Sequence, residues 1–103
     1  MAGIMYVVAL KDSDDKIVAI KVGATRKSIS DRLKQLNNEF NDWYYISVIL
    51  VKEVPNYMVA ESMFHKLNWK YFGMKLLKKF DAYSRECYRP SSLSILKAYI
   101  QSL

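Results

Sequence analysis

Residues 4–23 read IMYVVALKDSDDKIVAIKVG, two β-prone runs joined by a short acidic segment. Ile4 to Lys11 is rich in Tyr, Val and Leu, Asp12-Ser13-Asp14-Asp15 supplies turn-forming side chains, and Lys16 to Gly23 resumes with Ile17, Val18, Ile20 and Val22. A β-hairpin therefore opens the chain, with Gly23 expected at its tight exit. Downstream, Ser28-Ile29-Ser30-Asp31 has the form of a capping box, and Ile29, Leu33 and Leu36 recur at helical spacing, which predicts a short helix ending near Asn37. Trp43 to Lys52 is aromatic and β-branched, with Ile46, Val48, Ile49, Leu50 and Val51 nearly continuous. Such a run predicts a third strand, buried on much of both faces, in the middle of the sheet. Pro55 suits the first turn of a second helix, Met58 to Phe72, with Val59, Met63, Leu67 and Tyr71 as its apolar residues. Residues 73–88 carry no clear period and are expected to be irregular. Pro90-Ser91-Ser92 is a helix-start signal, and Leu93, Leu96, Ile100 and Leu103 form the apolar stripe of a closing helix. The expected fold is α+β, a small three-stranded sheet flanked by helices, with a ββαβα core plus a C-terminal helix.

The 103 residues suffice for one compact core, so a single domain over residues 1–103 is expected. Half of them are hydrophobic (51%), with three Gly and two Pro, a composition that excludes a disordered tail or a low-complexity linker. No apolar run approaches the roughly 20 residues of a membrane span. The opening MAGIMYVVAL lacks the basic leader and small-residue cleavage site of a signal peptide. An intracellular, cytoplasmic protein without a membrane partner is the expectation. Cys87 is the one cysteine and His65 the one histidine, so neither an internal disulfide nor a Cys/His zinc tetrahedron can form.

Sixteen basic against ten acidic residues give a net charge of +6, a balance that favours a polyanionic partner. The excess is uneven: residues 1–51 hold seven basic and six acidic side chains, residues 52–103 nine and four. Lys66, Lys70, Lys75, Lys78 and Lys79 follow one another with no acid between them, and Trp69, Tyr71 and Phe72 interleave with the first of these. Lysines with aromatics combine phosphate attraction with base stacking, although a solvated helix face with core aromatics reads the same way. With Arg26 and Lys27 after the hairpin, these lysines are the candidate nucleic-acid contacts.

Five segments occur in a telling order. Gly3-Ile4-Met5-Tyr6 opens the first strand and Lys21-Val22-Gly23 closes the second. Ser30-Asp31-Arg32-Leu33-Lys34-Gln35-Leu36-Asn37 carries an arginine on the first helix, Glu61 and His65 stand four apart on the second, and Arg85-Glu86-Cys87-Tyr88 precedes the last. This series resembles the GIY-YIG nuclease superfamily, in the phage and bacterial branch with a shortened hairpin motif. Lys21 stands where that family has a tyrosine, and residues 73–84 look like an insertion. The resemblance implies a metal-dependent DNA endonuclease, cutting one strand per site, in which Tyr6 positions or activates the water and the Lys21 position assists.

Phosphodiester hydrolysis needs an activated water, charge stabilisation at the phosphorane and help for the departing oxyanion. Glu61, a carboxylate in an otherwise acid-free helix beside a basic stretch, is the candidate metal ligand, able to hold Mg²⁺ or Mn²⁺ together with phosphate oxygens and water. Taken alone it reads as an exposed helix Glu pairing with His65 or a lysine, and its position in the series reverses that. Arg32 is the candidate phosphate clamp through its planar fork. Tyr6 and Lys21 are expected to face each other across the hairpin, and Lys21 is either the general base or a phosphate contact. His65 is a candidate proton shuttle or water-orienting group, or a structural histidine. A Cys87/His65 nucleophile pair lacks an oxyanion-hole signature. The partner is DNA or RNA, met as a monomer or homodimer. The rival reading is a catalytically inactive module of the same fold that binds nucleic acid or protein.

Overall fold

A computed structural model describes residues 1–40, 44–68 and 87–103. The opening hairpin forms as expected. Strand β1 (Gly3–Lys11) pairs antiparallel with β2 (Ile17–Thr25), Tyr6 opposite Gly23 and Val8 opposite Lys21. Asp12 builds the turn: its Oδ1 accepts the N–H groups of Asp14 at 2.9 Å and Lys16 at 3.0 Å. Asp15 takes the left-handed φ of 62° that a short polar side chain tolerates.

Strand β3 (Tyr45–Val54) pairs antiparallel with the other side of β1, so β1 is central and β3 lies at an edge. This corrects the expectation of a central third strand. Val7 pairs with Leu50 and Val8 with Val48, which leaves Ile49 as the extra residue of a bulge. Ile49 and Leu50 both pack against one core cluster and Ile46 against the other, so the continuous apolar run reflects a bulge at an edge, half-buried on each face. Burial on both faces falls instead to Met5 through Leu10 of β1.

Among the described residues the sheet has a fourth strand. Cys87–Tyr88, β4, pairs with Lys21 and Ile20 of β2, giving the order β3-β1-β2-β4 in place of three strands. Two residues have no period to detect, so nothing in the sequence marked them as a strand.

Helices cover both faces of the sheet, which divides the core into two clusters. Helix α1 (Ile29–Phe40) lays Leu36 and Phe40 over Tyr6, Val8, Leu10, Ala19 and Cys87. Ser28 Oγ accepts the Asp31 N–H at 3.2 Å, the expected cap. The helix runs past Asn37 because Phe40, four residues beyond Leu36, reaches the same core. Helix α2 (Tyr57–Asn68) and helix α3 (Leu93–Gln101) cover the opposite face with Phe64, Leu96 and Ile100. A 3₁₀ turn over Pro90–Ser92 leads into α3, and Leu103 lies exposed beyond its end.

The buried face of α2 differs from the expected one. Val59, Met63 and Leu67 are 57%, 48% and 54% exposed, whereas Phe64 and Asn68 are buried and Tyr57 and Ala60 are half-buried. Two stripes at helical spacing competed, and the aromatic one won. Phe64 meets Tyr88 and Tyr99 edge to face at centroid distances of 5.6 and 5.2 Å, and the Asn68 amide donates to the Phe64 carbonyl at 2.9 Å. Asn56 caps the helix by accepting the Val59 N–H at 3.3 Å, which puts Pro55 ahead of the cap instead of in the first turn. No described helix is long and apolar enough to cross a membrane. Trp43, the expected end of the second helix at Phe72, and residues 73–86 of the segment expected to be irregular lie outside the described residues.

Candidate functional site

The end of β2 organises the candidate residues. Gly23 lies directly opposite Tyr6, and a Cβ built on it would overlap the Tyr6 hydroxyl. Glycine is thus required for clearance: its φ is not positive and it sits within the strand, which replaces the tight exit expected from sequence. The phenol that fills this space is fully buried, and the Nε–H of Arg32 donates to its oxygen at 2.9 Å. The Arg32 guanidinium carbon is 5.8 Å from the Tyr6 ring centroid, and Nη1–H donates to Gln35 Oε1 at 3.0 Å. Tyr6 on one side and Gln35 one helical turn away therefore fix the plane of the fork.

The next residue of β2 holds the second half of the site. The N–H of Ala24 donates to Oε2 of Glu61 at 2.8 Å. Among the described residues β4 pairs with Ile20 and Lys21, and three residues further along β2 a carboxylate from α2 accepts from the backbone. Glu61 is half-buried and anchored to backbone, not the exposed surface glutamate that its sequence context also allowed. Gly23 and Ala24, consecutive in the chain, thus link Tyr6 and Arg32 on the α1 side to Glu61 on the α2 side.

Lys21 and His65 are placed differently. Lys21 faces Val8 and Cys87 in the register and not Tyr6, which corrects the expected facing pair. Its side chain is fully buried on the α1 side, two residues along β2 from Gly23. His65 stands one turn beyond Glu61, and its Nδ1 lies 2.6 Å from the hydroxyl of Tyr88. Arg26 and Lys27 are exposed in the connection between β2 and α1, and Lys66 is exposed on α2. Lys70, Lys75, Lys78 and Lys79 lie outside the described residues.

Three contributors escaped the sequence reading. A glycine inside a β-prone run is the usual sign of close approach, so Gly23 had a signal for its clearance role. Gln35, at i+3 from Arg32, also had one. Tyr88 had none. Among the described residues, no group of three or more His, Cys, Asp or Glu could hold a metal ion. One anchored carboxylate is nevertheless compatible with Mg²⁺, which commonly takes one or two carboxylates together with water and substrate phosphate.

The T5orf172 domain family matches residues 3–100, nearly the whole chain. The chain belongs to this family. T5orf172 is a nuclease-associated domain family, and its match corrects the GIY-YIG resemblance, which rested on short segments with Met5 interrupting one and Lys21 replacing the tyrosine of another. No curated protein and no solved structure matches the chain. Membership of T5orf172 points to nuclease action or nucleic-acid binding, and the β2 junction is where the described residues concentrate the chemistry that either would use.

Proposed function

We propose that this T5orf172 domain is a DNA endonuclease that hydrolyses phosphodiester bonds one strand at a time with the help of Mg²⁺ or Mn²⁺. The observation that carries the proposal is the junction at Gly23 and Ala24, with Arg32 bonded to Tyr6 on one side and Glu61 held on the other. In the reaction a water oxygen forms a bond to phosphorus and loses a proton to solvent, while the bond to one ester oxygen breaks and the departing oxygen takes up a proton from solvent. Arg32 meets the charge that grows on the non-bridging oxygens, pre-oriented by its bonds to Tyr6 and Gln35. Tyr6 positions the water. Glu61 is the ligand for the divalent ion, which supplies charge neutralisation at the phosphate. Arg26, Lys27 and Lys66 provide exposed phosphate contacts around the site.

A second reading is a domain that binds nucleic acid without cutting it. Complete burial of Lys21 and Tyr6 favours it, because groups enclosed on the α1 side of the sheet are withheld from a substrate outside. Supercoiled plasmid separates the two. One site cutting one strand converts supercoils to nicked circles first, with linear product appearing only later. Binding without hydrolysis leaves the topology unchanged.

A further inference from the structure

Beyond the Tyr6–Gly23 pair the sheet continues by one more row on the same face. Ile4 of β1 pairs with Thr25 on one side and with Glu53 of β3 on the other, just as Tyr6 pairs with Gly23 and Val51. Side chains alternate along a strand, so Ile4, Thr25 and Glu53 share the face of Tyr6 and lie two residues, about 7 Å, from its row. This row is more open: Ile4 and Thr25 are half-buried and Glu53 is exposed, where Tyr6 is fully buried. Here Ala2, Gly3, Ile4, Glu53, Val54 and Pro55 line a groove of about 540 Å³, a volume within the range of small-ligand sites.

Glu53 gives the groove its chemistry. Among the described residues no hydrogen bond or ion pair engages its carboxylate. In a chain of net charge +6 this carboxylate repels phosphate, so phosphate belongs beside Arg32, Arg26 and Lys27, and the groove suits a neutral group that donates hydrogen bonds. Ile4 and Pro55 add apolar walls for a flat ring. Of the four DNA bases, guanine alone presents two adjacent donors, N1–H and N2–H, that can meet both oxygens of a carboxylate at once. Adenine and cytosine set an acceptor nitrogen beside their amine, and thymine flanks its N–H with carbonyls, so each turns a lone pair toward Glu53. We propose that the groove binds an unpaired guanine next to the scissile phosphate, with Glu53 accepting from its N1–H and N2–H. The place beside the scissile phosphate rests on the endonuclease reading, whereas the base contact does not. Pairing occupies this edge in a duplex, so the guanine is single-stranded or extruded from the stack.

Fluorescence anisotropy with a short fluorescein-labelled oligothymidine carrying one central guanine, measured in EDTA to prevent cleavage, tests the contact. Wild type should bind this strand about tenfold more tightly than the same strand with adenine, and hypoxanthine, which lacks the N2 amine, should lose most of the gain. Glu53→Gln exchanges one acceptor for a donor, so it should abolish the preference while affinity for plain oligothymidine is retained. Absence of a guanine preference in the wild type overturns the proposal, as does a preference that hypoxanthine keeps in full or that survives in Glu53→Gln. Should Glu53→Gln lose its native amide spectrum, the wild-type comparison of guanine with hypoxanthine still decides. Guanine-selective binding by a protein that never nicks DNA refutes the hydrolytic reading and leaves the groove assignment standing, and nicking without guanine-selective binding does the reverse.

Discussion

Gly23 leaves the Tyr6 phenol the space that its own side chain would occupy. The consequence runs through α1, because the phenol that fills the space is the acceptor for Arg32. Gly23→Ala would force the buried ring to shift, with an overpacking cost of about 1–3 kcal/mol. Urea unfolding should show that loss, and nicking should fall with it as Arg32 loses its fixed acceptor. Unchanged stability and unchanged nicking would mean that Tyr6 can move without consequence.

Tyr6→Phe tests the same contact from the other side. Loss of the hydroxyl removes one buried hydrogen bond, worth about 0.5–1.5 kcal/mol in stability. If Tyr6 positions the water, the nicking rate should fall much further, by about 10²–10⁴-fold. A rate that falls only in proportion to the folded fraction assigns Tyr6 a structural role alone.

Lys21→Met replaces a buried amine by an unbranched apolar side chain of similar length, so the native fold should persist. DNA affinity should also persist, since the enclosed amine is no surface contact. A reduced nicking rate at unchanged affinity would keep Lys21 in the chemistry, and the amide spectrum would confirm the fold. An unchanged rate removes it.

The two stripes of α2 give a stability test that is independent of function. Val59→Lys and Met63→Lys, on the exposed stripe, should each alter stability by less than about 0.5 kcal/mol. Phe64→Ala, which empties the centre of the aromatic cluster, should cost about 3–5 kcal/mol. Equal losses at Val59 and Phe64 in denaturant titrations would contradict the orientation of the helix.

Much of this architecture was legible because it repeats or is capped. The hairpin shows as two β-prone runs around Asp12, the α1 cap as Ser28 three residues before Asp31, and the α3 stripe as Leu96 and Ile100. What escaped depends on contacts distant in the chain. The place of β3 at an edge follows from its pairing register with β1, and the buried face of α2 follows from which aromatic ring meets Tyr88 and Tyr99. The site was legible as residue types: Tyr6, Arg32 and Glu61 all meet the end of β2. Its geometry was not, since the space left by Gly23 and the N–H of Ala24 are backbone features to which no side-chain pattern points.

The most direct measurement is nicking of supercoiled plasmid by the purified protein with Mg²⁺ or Mn²⁺, beside an EDTA control and Glu61→Ala. Metal-dependent nicking that disappears in Glu61→Ala is the expected result, since Glu61 is the carboxylate held at the β2 junction. Salt-sensitive DNA binding without nicking under any metal, or nicking that survives both EDTA and Glu61→Ala, would contradict it.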